Sequence, residues 1–395
     1  MSPPPVRVGI IGLSKAATTS WASEAHLPNF STEAGRERFQ IVALCNTSVA
    51  KAEAAIQAYN LDPATTKAYG NPSDLAEDPD VDLVLCSTRV DTHFAAVLPS
   101  LEAGKDVYIE WPIASNIQDT QRLLEAARKS GSGTIVGVQR RFAPAVLKVK
   151  ELLDDGAIGR LLNVTVTAHA GFLSSGVFPP GLKYFTERSI GGNPITILVG
   201  HLMDAVESTV GAYIPGTVHA HTQLQSPGAT IIDPATRDVI ETVRSNVPDL
   251  ITVHGFVKSA RTNNEAATLS VHYQRGFQFP GTPALDWTLT GTTGKIRLTD
   301  PEGVSFYTDP GPNGLNIQLW KIGEEKATDV EWANSDLQLQ VPPPARAMQT
   351  LLYAYADAKR GVGKDDARKN PDWPDLESGA ARAAEVDEWL SSYKE

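Results

Sequence analysis

The chain has 395 residues but only two cysteines and three methionines. The cysteines, Cys45 and Cys86, sit inside separate apolar runs, FQIVALC and VDLVLCS. That placement reads as reduced thiols buried in strands and excludes a disulfide framework. Long hydrophobic runs are missing too: none approaches about 18 residues, so no membrane-spanning helix is expected. The opening Met-Ser-Pro-Pro-Pro lacks the basic and apolar regions of a secretory leader, which points to the cytoplasm, or cytoplasm and nucleus together. Excess positive charge is absent: a formal charge of −11 disfavours a direct nucleic-acid partner. The clustered cations, Arg140-Arg141 and Lys148 to Lys150, read as solvated helix surface. His219 and His221 alternate on one strand and share a face, yet no cysteine or carboxylate stands at ligand spacing, so no metal is expected.

What is present is an ordinary globular composition, 42% hydrophobic and 21% charged, at a length that suits two domains. Through about residue 140, buried strands (6–12, 39–45, 81–87, 107–110, 134–138) alternate with helices (16–34, 49–59, 92–103, 117–130). This rhythm predicts a doubly wound parallel sheet of Rossmann type. After a helix at 144–155 the pattern changes to β-rich runs at 161–170, 217–225, 251–258, 266–275, 286–291 and 294–298. Gly291-Thr-Thr-Gly294 signals a hairpin between the last two. One helix at about 193–210 interrupts the strands, and two more, about 344–360 and 376–393, close the chain. The second region therefore reads as an α+β domain with an open, mainly antiparallel sheet covered by helices. The division expected is 1–140 for the Rossmann domain, 141–345 for a substrate and oligomerisation domain, and 346–395 for helices packing back on the domain junction.

The first strand runs into Gly12-Leu-Ser-Lys-Ala-Ala17. A phosphate turn needs glycine first for the tight bend and small residues later so that the backbone can approach a pyrophosphate. Gly12 meets the first need, while Ser14 and Ala17 stand in for later glycines, with Lys15 in reach of a phosphate. The following helix would present its N–H groups to the anion. The end of the second strand, where an acid normally holds the ribose hydroxyls of NAD, reads Asn46-Thr47-Ser48 with Lys51 a turn on. Without a carboxylate to repel a 2′-phosphate, NADP is favoured modestly over NAD; the same residues also suit a helix cap. Thr88 and His93, after the third strand, lie where cofactor-facing residues sit in such folds.

Three stretches make the chain resemble the Gfo/Idh/MocA oxidoreductases. They are Leu101-Glu-Ala-Gly-Lys105 through Glu110-Trp111-Pro112-Ile113-Ala114; Gly137-Val-Gln-Arg-Arg-Phe142 with Gly156-Ala-Ile-Gly159; and Gly191-Gly192 followed by His201 and Asp204. The resemblance implies a nicotinamide cofactor beside Glu110 and Trp111, and a catalytic His201. It also exposes two departures. Trp111 replaces the family's lysine, and an indole has no proton to exchange near neutral pH. Ile197 replaces the aspartate four residues before His201, leaving Asp204 to orient the imidazole from the other side. Both departures, and the Lys183-Tyr184 pair, resemble the family's branch of fungal galactose-regulon repressors.

Two readings stand at this point. One is an NAD(P)-dependent oxidoreductase acting on a hydroxyl or carbonyl of a sugar, polyol or other small metabolite, with His201 or the Tyr184–Lys183 pair supplying the proton. The other is a catalytically silent cofactor-binding regulator with a protein partner. A non-redox lyase or cyclase on the same fold is a weaker third. The family's habit also implies a homodimer. His201 reads equally as a core histidine, Trp111 as a packed aromatic, and His26 as structural.

Overall fold

β1 (Val6–Ile11) lies at the centre of a six-stranded parallel sheet. The computed structural model describes residues 3–15, 19–171, 176–258, 260–262, 265–362 and 373–393. These divide into two compact units: Met1–Gln139 with Ser189–Gly192 and Ser335–Ala384, and Arg140–Arg188 with Asn193–Asn334 and Glu385–Glu395.

In the first unit, α1 (Leu27–Ser31) and α2 (Glu33–Arg38) lead to β2 (Phe39–Cys45), then α3 (Val49–Ala58), β3 (Lys67–Tyr69) and α4 (Pro72–Ala76). There follow β4 (Leu83–Cys86), α5 (Val90–Glu102), β5 (Asp106–Glu110), α6 (Ile117–Ser130) and β6 (Thr134–Gly137). The strand order β3-β2-β1-β4-β5-β6, parallel throughout, is the doubly wound sheet the alternation predicts. β4 is buried along its whole length, as a strand covered on both faces must be. Local chemistry sets the helix ends. The Ser48 hydroxyl caps α3 by accepting from Lys51 N, and the Asn116 side chain caps α6 by accepting from Asp119 N at 2.8 Å. Gly131, with φ +74°, closes α6 in the left-handed conformation.

The first helix departs from expectation. It was expected over 16–34, but the described helical backbone begins as a π-turn at Ala22–His26 and breaks at Thr32, whose hydroxyl caps α2. Ala17, named above as a cofactor residue, lies outside the described residues.

In the second unit, α7 (Pro144–Asp154), β7 (Leu161–His169) and β8 (Val177–Phe178) precede a π-turn at Ile195–Val199 and α8 (Gly200–Val210). β9 (His219–Gln223), β10 (Gly228–Ile232), β11 (Val239–Arg244), β12 (Leu250–Val257) and β13 (Ala267–Gln274) come next. β14 (Leu285–Gly291), β15 (Gly294–Asp300), β16 (Asn316–Lys321) and β17 (Thr328–Asp329) complete the strands. Eight of them form one sheet in the order β17-β16-β15-β14-β7-β13-β12-β9, antiparallel except where β13 runs beside β7. β14 and β15 pair as the predicted hairpin, Thr290 opposite Lys295. Burial alternates strictly along β13, so one face of the strand is fully buried and the other half-buried. Every residue of α8 but Ser208 is buried, the mark of a helix enclosed in the core.

Two further helices, α9 (Pro343–Lys359) and α10 (Leu376–Ser391), follow in the chain. Within the first unit α9 is fastened to β5 through Asp106, which accepts from Tyr355 Oη at 2.8 Å and Lys359 Nζ at 2.7 Å. Among the described residues no helix is long and apolar enough to cross a membrane.

Candidate functional site

Gly12 leaves β1 at the point where strand order reverses between β1 and β4, the place where open α/β sheets bind their ligands. Its φ is +102°, and its N–H donates to Cys45 O at 3.1 Å. A Cβ built there would stand 2.5 Å from Ser87 O and 2.6 Å from Thr88 Cγ2. No side chain fits, because the turn is pressed against the end of β4. That close approach of bare backbone is what a pyrophosphate cradle requires.

The walls of this cradle are organised by short polar contacts. Asn46 Nδ2 donates to Leu13 O at 3.0 Å, tying the end of β2 to the turn. Lys51 Nζ reaches Thr47 Oγ1 at 3.0 Å, and both side chains are exposed. A cation and a hydroxyl thus stand together, with no carboxylate among residues 45–52, where ribose is held in Rossmann folds. Lys15 extends over the Tyr59 ring at 5.4 Å. Thr88 accepts from Thr92 Oγ1 at 2.8 Å. His93 is buried, with Nδ1 at 2.9 Å from Pro112 O and Nε2 at 3.0 Å from Thr88 O. Both ring nitrogens are engaged by backbone carbonyls, so this histidine holds together the loops that leave β4 and β5. Burial pushes its pKa down, and a neutral ring donates to one of the two carbonyls at a time.

Glu110, at the end of β5, gathers three donors on Oε1: Trp21 Nε1 at 2.9 Å, His26 Nε2 at 2.5 Å and Tyr108 Oη at 3.2 Å. A Cβ at Gly137 would lie 2.4 Å from Glu110 Oε2, so glycine makes room for the carboxylate. The carboxylate thereby anchors the segment that follows the phosphate turn. The structural reading of His26 fits this. Trp21 was not foreseen, since nothing local in the sequence links position 21 to position 110. Trp111 is buried directly after Glu110.

In the second unit His201 opens α8 and is 6% exposed. The π-turn ends two residues earlier, so Ile197 and His201 lie across a π/α junction and do not share a regular i, i+4 stripe. Asp204 does not orient the imidazole: Arg141 takes it in a two-pronged pair, Nε to Oδ2 at 2.8 Å and Nη2 to Oδ1. Arg140, expected on solvated helix surface, is 5% exposed instead. Burial and, second, the Arg140 charge hold the His201 pKa well below the ordinary histidine value. A neutral imidazole of this kind accepts a proton in preference to donating one. Tyr184 lies in a 3₁₀ segment, Pro180–Thr186, with its ring edge-on to Phe185 at 4.8 Å. Its neighbour Lys183 binds the Glu241 carboxylate at 2.8 Å.

Comparison with known proteins agrees with this division. Residues 6–138 match the model of an oxidoreductase family with an NAD-binding Rossmann fold, and residues 144–300 match the C-terminal domain of Gal80p. The chain is 35% identical over 300 residues to the dehydrogenase aclE of Aspergillus oryzae, covering 75% of this chain and 77% of that protein. It is 27% identical to the galactose/lactose metabolism regulatory protein of Saccharomyces cerevisiae, over 89% of this chain and 78% of the relative. A super-repressor mutant of that regulator, solved by crystallography, shares the fold with a TM-score of 0.81 at 21% identity, over 98% of this chain and 95% of the other.

Proposed function

This chain belongs to the Gfo/Idh/MocA oxidoreductases, and on that premise we propose that it is an NADP(H)-binding dehydrogenase acting on a hydroxyl or carbonyl of a small metabolite. The observation that carries the reading is the bare turn at Gly12, held at φ +102° against the end of β4 so closely that a Cβ would meet Ser87 O at 2.5 Å. The turn Gly12 to Lys15 and Thr88 would hold the pyrophosphate, and Thr47 with Lys51, joined at 3.0 Å, would take the 2′-phosphate. When bound, the nicotinamide supplies hydride acceptance or donation. The protein's own part is to orient, exclude water and manage the proton. His201 is buried and its pKa is held low, so at neutral pH the ring is unprotonated and available to take the proton of a substrate hydroxyl as that carbon is oxidised. A homodimer and a small-molecule substrate belong to the same reading.

A second reading rests on Trp111 and Ile197. Both stand where the family's enzymes keep a lysine and an aspartate, and residues 144–300 match a regulator's domain. Under it the chain binds the nucleotide and answers to a protein partner without turnover. The test is twofold. NADPH fluorescence titration is expected to show saturable binding that is tighter than for NADH. A panel of polyols, aldoses and hydroxy acids is then expected to change absorbance near 340 nm with NADP. Binding with no change across the panel replaces the dehydrogenase by the regulator, and no binding of either nucleotide removes both.

A further inference from the structure

Arg140 is buried and finds no carboxylate among the groups that act on it: the neighbours that feel its charge are Tyr307, Tyr273 and His201. Its Nη1 reaches only a backbone oxygen, Leu198 O, at 3.5 Å, and Tyr307 supplies the side-chain hydrogen bond. Around it three buried polar atoms have no hydrogen-bond partner: Arg140 Nε, His201 Nδ1 and Tyr273 Oη. Tyr273, on β13, is fully buried. An isolated guanidinium in a protein interior is strongly disfavoured, and buried polar groups are otherwise nearly always paired. The neighbouring pair shows the usual solution: Arg141, one residue on, is neutralised by Asp204. Arg275, also buried, has Asp249 at 3.3 Å. Arg140 stands apart from both.

We propose that Arg140, His201 and Tyr273 form a binding site for a carboxylate on a small organic molecule, which makes the substrate class a hydroxy or keto acid. One buried positive charge matches the single negative charge of a carboxylate, whereas a phosphate dianion would carry an unbalanced charge into the interior. The planar guanidinium offers parallel donors that fit two carboxylate oxygens, and the phenol adds a third donor. The assignment deepens the dehydrogenase reading by naming its substrate, but the site itself needs neither cofactor nor turnover to be observed.

Acetate, the smallest carboxylate probe, tests it on the full chain. At equal ionic strength, acetate at 100 mM is expected to raise the melting temperature measurably above chloride, and to shift the His201 imidazole resonances saturably. Arg140→Met, which replaces the unpaired charge by apolar volume, is expected to melt higher than the native chain and to lose the acetate response at least tenfold. Tyr273→Phe keeps the packing and is expected to weaken the response severalfold, so the test survives if the arginine variant does not fold. An acetate effect equal to that of chloride, or one that Arg140→Met retains, overturns the proposal. Because nucleotide titration is scored separately, loss of the carboxylate site and loss of the dehydrogenase reading are distinguishable.

Discussion

Substitution of Gly12 by alanine probes the cradle most directly, and its cost separates into two parts. The first is conformational: at φ +102° a side chain is strained, worth about 1–2 kcal/mol for an L-residue. The second is steric, since the new Cβ meets Ser87 O at 2.5 Å, a backbone atom that cannot swing aside. Overpacking of this kind costs about 1–3 kcal/mol. Gly104 provides the control, because its φ is +75° and a Cβ there meets nothing within 4 Å. Gly104→Ala therefore carries left-handed strain without a clash, and the excess of Gly12→Ala over it reports the contact together with the added strain of its larger φ. Relief of that contact moves the turn off the end of β4 and misaligns its amides. Each charge-assisted hydrogen bond so lost is worth about 1.5–3 kcal/mol, so NADPH affinity should fall roughly 10- to 150-fold. Urea unfolding gives the stability terms and fluorescence titration the affinity. If Gly12→Ala binds NADPH like the native chain while Gly104→Ala shows the same stability loss, the cradle argument is wrong.

Three further outcomes follow from the geometry. Lys51→Ala should weaken NADPH binding about fivefold, near 1 kcal/mol for an exposed charge-assisted contact, and leave NADH binding unchanged; equal loss for both nucleotides refutes the 2′-phosphate assignment. Glu110→Ala leaves the donors of Trp21 and His26 without their acceptor and Tyr108 with Met348 Sδ in its place, and unfolding free energy should drop by about 3–5 kcal/mol, with Glu110→Gln recovering part of it. Lys150 is held near a pKa of about 8 by burial, its Nζ reaching only Arg141 O. A lysine lowered on folding destabilises the native state while charged and ceases to do so as pH rises. Lys150→Met should thus gain roughly 3 kcal/mol over the native chain at pH 7, shrinking to about 1 at pH 10; a gain that is flat with pH would contradict the burial.

Much of the fold was legible because its signals are local. The boundaries of α6 agree with the reading to the residue, since Asn116 and Gly131 mark both ends. Five of the six strands of the parallel sheet announced themselves as β-branched apolar runs, while β3, three residues at the sheet's edge, gave no such run. β10, β11 and β16 gave none either: β11 lies at the edge of its sheet with four of its six residues exposed, so its pattern carries no buried face. The helix read over 16–34, with a loose end, is replaced over Ala22–His26 by a π-turn. In the candidate site, Gly12 was readable from its position after β1. Arg140 was not, because a charged residue in a QRRF run looks solvated, and the groups that act on it, Leu198, His201, Tyr273 and Tyr307, come from far along the chain. Trp21 on Glu110 escaped for the same reason.

The chemistry of His201 turns on which charge stands beside it. A neighbouring carboxylate raises an imidazole's pKa and makes it an acid at neutral pH; a guanidinium does the reverse. Here burial acts first and Arg140 second, and both lower it. In the native state the ring stays neutral below about pH 6.5, where the unfolded chain takes up a proton. Stability therefore falls as pH drops through that value, and the ring remains a base throughout the neutral range. An NMR titration should place the His201 midpoint below the ordinary histidine range. Arg140→Met should move it upward without restoring it, because burial persists, and acetate bound to the native chain should move it in the same direction by cancelling the guanidinium's charge. A midpoint at or above 6.5 in the native protein, or one indifferent to Arg140, would show that the ring feels neither the burial nor the cation.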